Sequence, residues 1–362
     1  LRDIESKVIK ELNDEKAKFD AKLSKDKKVA TLEDVYEVVS MLANVPVTSL
    51  NHDEKNYLKN LSEKLKNYVV GQDEAVEKIS KAIRRSRVGV KDPNKPSAYI
   101  FLGNTGVGKT HLAKQIAKEI FSSEDALIRI DMSEYQERFN MSRLIGSPPG
   151  YVDSDKSGEL TEKVRKKPYS VVLFDEVEKA HRDIFSLFLQ ILDDGYVTDA
   201  MGRKVIFKNC LIIFTSNIGV KKLRDFGTGI GFTKSNDEEV KRNILLKEMK
   251  SLFSPEFLNR IDDTIVFNQL TKEDIEKIAS IEIKKLENRL KDMGYSISFN
   301  SNVSPFITEL GYSDEYAARN MKRLVQNKIE DFITDLIIDD NIEKSENYEI
   351  FVNEDEINFK KL

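Results

Sequence analysis

Residues 98–110 read Ala98-Tyr99-Ile100-Phe101-Leu102-Gly103-Asn104-Thr105-Gly106-Val107-Gly108-Lys109-Thr110. An apolar run passes straight into the pattern G-x-x-x-x-G-K-[ST], and a helical pattern follows in Leu112-Ala113-Lys114-Gln115-Ile116-Ala117. The predicted order is a buried strand, a glycine-rich turn and the first turn of a helix. In such a turn the glycines let backbone N–H groups close around phosphate oxygens, and the helix N-terminus adds positive potential. Lys109 is placed to hold β- and γ-phosphates and the Thr110 hydroxyl to ligate Mg²⁺, so ATP with Mg²⁺ is the expected pair. A glycine-rich turn carrying an exposed lysine is the plainer alternative.

Four more apolar runs lie downstream: Leu127-Ile128-Arg129-Ile130, Val171-Val172-Leu173-Phe174, Leu211-Ile212-Ile213-Phe214 and Thr264-Ile265-Val266-Phe267. Five short β-rich runs alternating with helical stretches predict an α/β fold, a five-stranded parallel sheet covered by helices on both faces. The Val171 run delivers Asp175-Glu176 at the end of a buried strand, where one carboxylate can position Mg²⁺ and the other polarise an attacking water. Adjacent acids after an apolar run are common on surfaces. Their separation of about 70 residues from the phosphate loop, one strand–helix–strand–helix interval, makes them the Walker B acids. The Leu211 run ends in Thr215-Ser216-Asn217; the Asn217 amide can orient the same water, or it can simply cap a turn.

Upstream, residues 1–50 read as a helical lead-in, with Leu1, Ile4, Val8 and Leu12 at near-helical spacing and a capping box from Thr31 to Asp34. Helices are expected over 53–67 and 73–88, ended by Asp92-Pro93-Asn94-Lys95-Pro96. Downstream, Thr271 and Asp274 cap a long helix over 271–294. Two further helices and β-segments near 295–300, 347–353 and 356–360 complete a smaller α+β unit. The expected domains are therefore the lead-in (1–50), a large domain (51–268) and a small C-terminal domain (269–362).

The chain has 362 residues, enough for two or three domains, and its 58 Lys+Arg balance 62 Asp+Glu, which argues against a DNA-coating protein. Arg84-Arg85-Ser86-Arg87 is read by default as facing solvent, with nucleotide or a neighbouring subunit as the alternatives. Cys210 is the single cysteine and His52, His111 and His181 are the only histidines, so neither an internal disulfide nor a zinc site is expected, and the compartment is read as reducing and cytoplasmic. No apolar stretch reaches the ~18 residues that span a bilayer, and no leader is visible. A first residue of Leu suggests a piece of a longer protein.

Further motifs carry a family resemblance over nearly the whole chain. They are Val70-Gly71-Gln72, Ile130-Asp131-Met132-Ser133-Glu134-Tyr135, Gly146-Ser147-Pro148-Pro149-Gly150-Tyr151-Val152, Phe257-Leu258-Asn259-Arg260-Ile261-Asp262 and Ala317-Ala318-Arg319. With the phosphate loop they resemble the AAA+ P-loop NTPases, and most closely the second ATPase module of Clp-type ATPases of the ClpC branch. The resemblance implies that Val69 and Val70 line the adenine pocket, that Asn217 is sensor 1 and Arg319 is sensor 2, and that Arg260 is an arginine finger for the next subunit's site. A guanidinium supplied in trans stabilises charge on the transferring phosphoryl, so a ring is needed. Without the resemblance, Arg260 reads as a surface residue near Asp262 or Asp263, and Arg319 as a helix-surface residue. Tyr151 and Val152 would form the pore loop that grips unfolded polypeptide, with Asp153 standing where the family has glycine. Asp199 to Arg203 resembles a second pore loop. Ile230-Gly231-Phe232, on a glycine-rich loop, would dock in apolar clefts of a ClpP-like peptidase; the plainer alternative folds both hydrophobes back on their own domain. Ala43-Asn44 and Ala317 depart from the usual Thr-Gly and Gly.

The resemblance implies an ATP-dependent unfoldase in a homo-oligomeric, hexameric ring. It would thread unfolded proteins into a ClpP-type peptidase, with adaptors engaged through preceding N-terminal regions and with no nucleic acid or membrane partner. The segment Asn268-Gln269-Leu270 would be the hinge. A ClpB-type disaggregating chaperone without peptidase, a nucleic-acid motor on the same fold, and a nucleotide-gated module that never turns over are the rivals.

Overall fold

The computed structural model describes residues 52–88, 91–147, 158–219, 238–311 and 317–362. The lead-in of residues 1–50, the loop with Tyr151, Val152 and Asp153, and the segment with Ile230, Gly231 and Phe232 lie outside the described residues.

All five apolar runs form strands: β1 (Ser97–Leu102), β2 (Leu127–Asp131), β3 (Val171–Asp175) and, after a hairpin of β4 (Tyr196–Thr198) and β5 (Lys204–Ile206), β6 (Leu211–Ser216) and β7 (Asp263–Val266). They pair in the order β2-β3-β6-β1-β7, every pair parallel. Sequence pattern and position agree. β1, β3 and β6 are buried along their whole length, as unbroken apolar runs require, whereas β2, at the edge, alternates and exposes Arg129. Because the strands are parallel, their C-terminal ends share one edge. Leu102 pairs with Ser216 and Phe174 with Phe214, so Gly103, Asp175-Glu176 and Asn217 leave the sheet side by side.

The period-two alternation of the strands divides the interior into two layers. On one face Ile100, Leu102, Phe174 and Phe214 meet Phe188 and Phe257. The Phe214 ring lies 5.1 Å from both Phe188 and Phe257 and 5.2 Å from Phe174. On the other face Tyr99, Phe101, Leu173 and Ile213 pack on the helices Asp73–Arg87 and Lys109–Phe121. A third core belongs to the C-terminal α+β unit. There the helix Lys272–Asp292, opened by the expected capping box of Thr271 and Asp274, covers a sheet in which β8 (Ser296–Phe299) pairs in parallel with β9 (Asn347–Asn353), which pairs antiparallel with β10 (Glu356–Lys361).

Two expectations need correcting, and two features were not foreseen. The single helix over 53–67 is two, His52–Lys59 and Leu61–Lys66, interrupted at Asn60. Arg84 and Arg87 do not simply face solvent: they donate to the carbonyls of Lys59 (3.3 Å) and Ile120 (3.4 Å), and Arg87 also lies over the Phe121 ring. The β4–β5 hairpin escapes sequence reading because three-residue strands are too short to show alternation. Finally, the expected pair of C-terminal helices is Val303–Gly311 followed by Ala317–Leu324, a π-helical segment Val325–Glu330 and the helix Asp331–Ile338. Met321, Val325, Ile329 and Ile333 along this stretch are all buried in the third core.

Among the described residues no helix is long and apolar enough to cross a membrane.

Candidate active site

The loop after β1 turns into the helix Lys109–Phe121 through Gly108, whose φ of +105° is a left-handed conformation that glycine adopts without strain. The Lys109 side chain folds back under this loop. Its Nζ donates to the carbonyls of Gly103 (2.6 Å) and Asn104 (2.7 Å) and to Asn217 Oδ1 (2.7 Å). Burial pulls its pKa down to about 8, against the opposing pull of Glu178 and Asp175.

At the end of β3, Asp175 is almost wholly buried and its two oxygens have different partners. Thr215 donates its hydroxyl to Oδ1. Oδ2 accepts from Arg129 Nε (2.9 Å) and Nη2 (2.7 Å), and the Thr110 hydroxyl approaches it at 3.4 Å. Glu176 follows with φ +57°, unusual for a non-glycine residue and maintained by its backbone N–H donating to Thr215 Oγ1 at 3.1 Å. This turn aims the carboxylate into the cleft. Asn217 Nδ2 donates to Glu176 Oε1 at 3.3 Å, and Lys179 Nζ stands 2.5 Å from Oε2. Asn217 is therefore more than a turn cap, because it joins Glu176 to Lys109. Its own backbone N–H donates to Glu178 Oε1 (3.1 Å), while Glu178 Oε2 is buried and accepts nothing from the described residues.

The cleft has a volume of about 390 Å³ and runs from this polar end to an apolar one. Gly106, Val107, Thr110, Glu176 and Asn217 line the first, and Val69, Val70, Leu270, Ile278 and Ile281 the second. The C-terminal unit closes one side with Arg319, Lys322 and Lys285. Gln72, buried at the join, donates to the Val107 carbonyl (3.2 Å) and the Asn268 carbonyl (2.9 Å) and accepts from Asn268 N–H (2.9 Å). One side chain thus ties the phosphate loop to the expected hinge. Gly71, at φ +72°, lies so close to the C-terminal unit that a Cβ there would meet the Asp274 carboxylate at 2.7 Å.

Arg260 and the Asp199–Arg203 stretch lie outside this cleft. Arg260 pairs with Asp193 and lies 3.5 Å from Glu256, not beside Asp262 or Asp263, which pair with Lys91 and Lys78. The Asp199–Arg203 stretch is the tip of the β4–β5 hairpin. Asp199 is buried and accepts from the N–H groups of Met201 (3.0 Å) and Arg203 (2.9 Å), so it builds the turn and leaves Met201 exposed. Arg129, Glu178, Thr215 and Gln72 were given no role from sequence. Arg129 carries a faint signal, being the lone basic residue inside β2, two residues before Asp131.

The AAA domain (Cdc48 subfamily) family matches residues 94–264, and the C-terminal, D2-small domain, of ClpB protein matches residues 270–350. The chain thus joins an AAA domain to a D2-small domain, as in a Clp-type ATPase module. This module is 45% identical over 363 residues to the ATP-dependent Clp protease ATP-binding subunit ClpC of Staphylococcus saprophyticus, covering 99% of the module and 44% of that protein. It is 47% identical over 346 residues to the ClpC of Staphylococcus aureus strain USA300, covering 94% of the module and 42% of that protein. The module thus spans less than half the length of these curated relatives. Among solved structures, the closed-state cryo-EM reconstruction of Hsp104 with ATPγS and FITC-casein superposes with a TM-score of 0.79 at 36% identity, over 94% of the module and 57% of that chain.

Proposed function

We propose that this chain hydrolyses ATP in the cleft between its sheet edge and its C-terminal unit, and that a ring of copies uses the energy to unfold polypeptides and thread them into a ClpP-type peptidase. The observation that carries the reading is the convergence of Lys109, Asp175, Glu176 and Asn217 at one strand edge, facing Arg319 across the same cleft. Val69 and Val70 offer an apolar wall for the base, and the Gly103–Gly108 backbone with Lys109 offers donors for phosphate oxygens. Thr110 and Asp175, with oxygens 3.4 Å apart, suit Mg²⁺. Mg²⁺ would be held there by few protein oxygens together with water and phosphate. When bound, Mg²⁺ neutralises phosphate charge. Glu176 takes the proton of the attacking water, Asn217 orients that carboxylate, and Lys109 and Arg319 stabilise charge on the phosphoryl oxygens. Arg260, which does not line its own cleft, would serve the neighbouring copy's. Tyr151 and Val152 would grip substrate in the pore, and Ile230-Gly231-Phe232 would dock the peptidase. The domain boundary at 268/269 is proposed with the hinge.

The chain with a ClpP-type peptidase, ATP and a tagged fluorescent protein tests this. Loss of fluorescence with fragmentation, abolished by Phe232→Ala, is expected. Solubilisation of aggregated reporter without any fragmentation would favour the second reading, a disaggregating chaperone, which the Hsp104 likeness supports.

Lys109 sets a pH dependence. Its folded pKa of about 8 lies below the unfolded value of roughly 10.4. Between those values the unfolded chain binds more protons, so this group's contribution to stability rises with pH there. Phosphate binding needs the ammonium and should weaken over the same range. Affinity for a fluorescent ADP analogue is expected to fall roughly tenfold from pH 7 to pH 9, measured by titration in low salt.

A further inference from the structure

Arg129 sits at the exposed middle position of edge strand β2, in register with Leu173 and thus two residues short of Asp175 on the neighbouring strand. That register brings both Nε and Nη2 of its guanidinium onto one oxygen, Asp175 Oδ2, at 2.9 and 2.7 Å. It is the oxygen that faces the Thr110 hydroxyl, and the other already receives the hydroxyl of Thr215. The carboxylate is only 8% exposed, so the guanidinium neutralises a charge that burial would otherwise penalise. Arg129 itself is half exposed and lines the nucleotide cleft. It also has a second place to go. Asp131 Oδ2 lies 3.8 Å from the same Nη2, beside an adjoining cavity of about 230 Å³ that Glu134 and Glu159 also line.

We propose that Arg129 is the place-holder for magnesium: it holds Asp175 Oδ2 until the divalent cation arrives with nucleotide, then gives way toward Asp131 and the acidic cavity. The inference rests on the nucleotide reading of the cleft. Two cations compete for one carboxylate oxygen, so each lowers the other's occupancy, and exchange of Mg²⁺-nucleotide proceeds without leaving a bare buried charge. Arg129 acts through Asp175 and is a positioning residue.

The test is the magnesium coupling ratio, the affinity of the whole chain for a fluorescent ADP analogue with saturating Mg²⁺ divided by that in EDTA. Arg129→Met keeps the apolar stem and removes the charge. It should weaken binding in EDTA, where a cation has left the cleft, and not weaken binding in Mg²⁺, raising the ratio about tenfold. Arg129→Lys should keep the ratio within about threefold of the parent, and Asp131→Asn, which removes the alternative partner, should lower it. A ratio in Arg129→Met that matches the parent or falls, with both affinities lowered together, overturns the proposal and leaves Arg129 a structural brace. Should Arg129→Met not fold, Asp131→Asn decides, and an unchanged ratio there sinks the idea. Failure of the parent chain to bind the analogue in either buffer, or binding unaffected by Lys109→Ala, would instead overturn the nucleotide reading itself.

Discussion

Glu176→Gln is expected to cut ATP turnover at least about a hundredfold while nucleotide affinity stays within roughly threefold of the parent. Gln has nearly the shape of Glu and still offers an oxygen to Asn217 Nδ2, so the network that joins Asn217 to Lys109 survives. The Thr215 hydroxyl continues to accept the backbone N–H at residue 176, which maintains the left-handed turn. Proton acceptance is lost together with the ion pair to Lys179, and general base catalysis is worth about 10² to 10⁴ in rate. Steady-state phosphate release and titration with a fluorescent ADP analogue separate the two quantities. Equal loss of binding and turnover would mean that Glu176 holds the cleft together and is not its base.

Phe257→Ala should lower stability by about 3–5 kcal/mol, the usual cost of emptying a buried phenylalanine site. Phe257 is fully buried, and its ring lies 5.1 Å from Phe214, 5.3 Å from Phe185 and 5.6 Å from Phe253. Those neighbours belong to several elements and cannot all close the gap. Phe257 also anchors the turn that presents Arg260. Ser254 caps the short helix Pro255–Leu258 by accepting from Phe257 N–H, and Arg260 N–H donates to the Phe257 carbonyl at 3.1 Å. A lower denaturant midpoint at unchanged slope, with a melting temperature down by roughly 10 °C, is the expected result. A loss below about 1 kcal/mol would show that the aromatic layer repacks freely.

How much of this was legible beforehand follows from what each residue does. The sheet was legible because β1, β3 and β6 are covered on both faces and must be apolar throughout, and because phosphate chemistry constrains Gly103 to Thr110 in a contiguous stretch. Asp175, Glu176 and Asn217 could be placed because each ends such a strand. Arg129 could not be assigned, since its role depends on lateral register with β3, which no local pattern encodes. Gln72 was hidden for a similar reason: it joins Val107 and Asn268, residues distant in sequence that only tertiary packing brings to one amide. The π-helical segment was hidden, since its four-residue apolar spacing also occurs in the regular α-helix Lys272–Asp292, where Ile275, Ala279 and Ile283 are buried. Arg260 shows the opposite case, in which family resemblance supplied a role and the single chain shows only its pairing with Asp193.

The central claim is that each cleft is completed by a second copy, and mixing two inactive variants tests it. Glu176→Gln keeps Arg260 but lacks the base, and Arg260→Ala keeps the base but lacks the guanidinium. Alone, each should turn over ATP at about 1% of the parent rate or less, the loss expected for a missing general base or a missing arginine supplied in trans. Assembled together in equal amounts, they should recover about a quarter of parental turnover, because about half of the clefts belong to Arg260→Ala and about half of those meet an intact arginine from a Glu176→Gln neighbour. No recovery in assemblies shown to contain both variants would contradict the account.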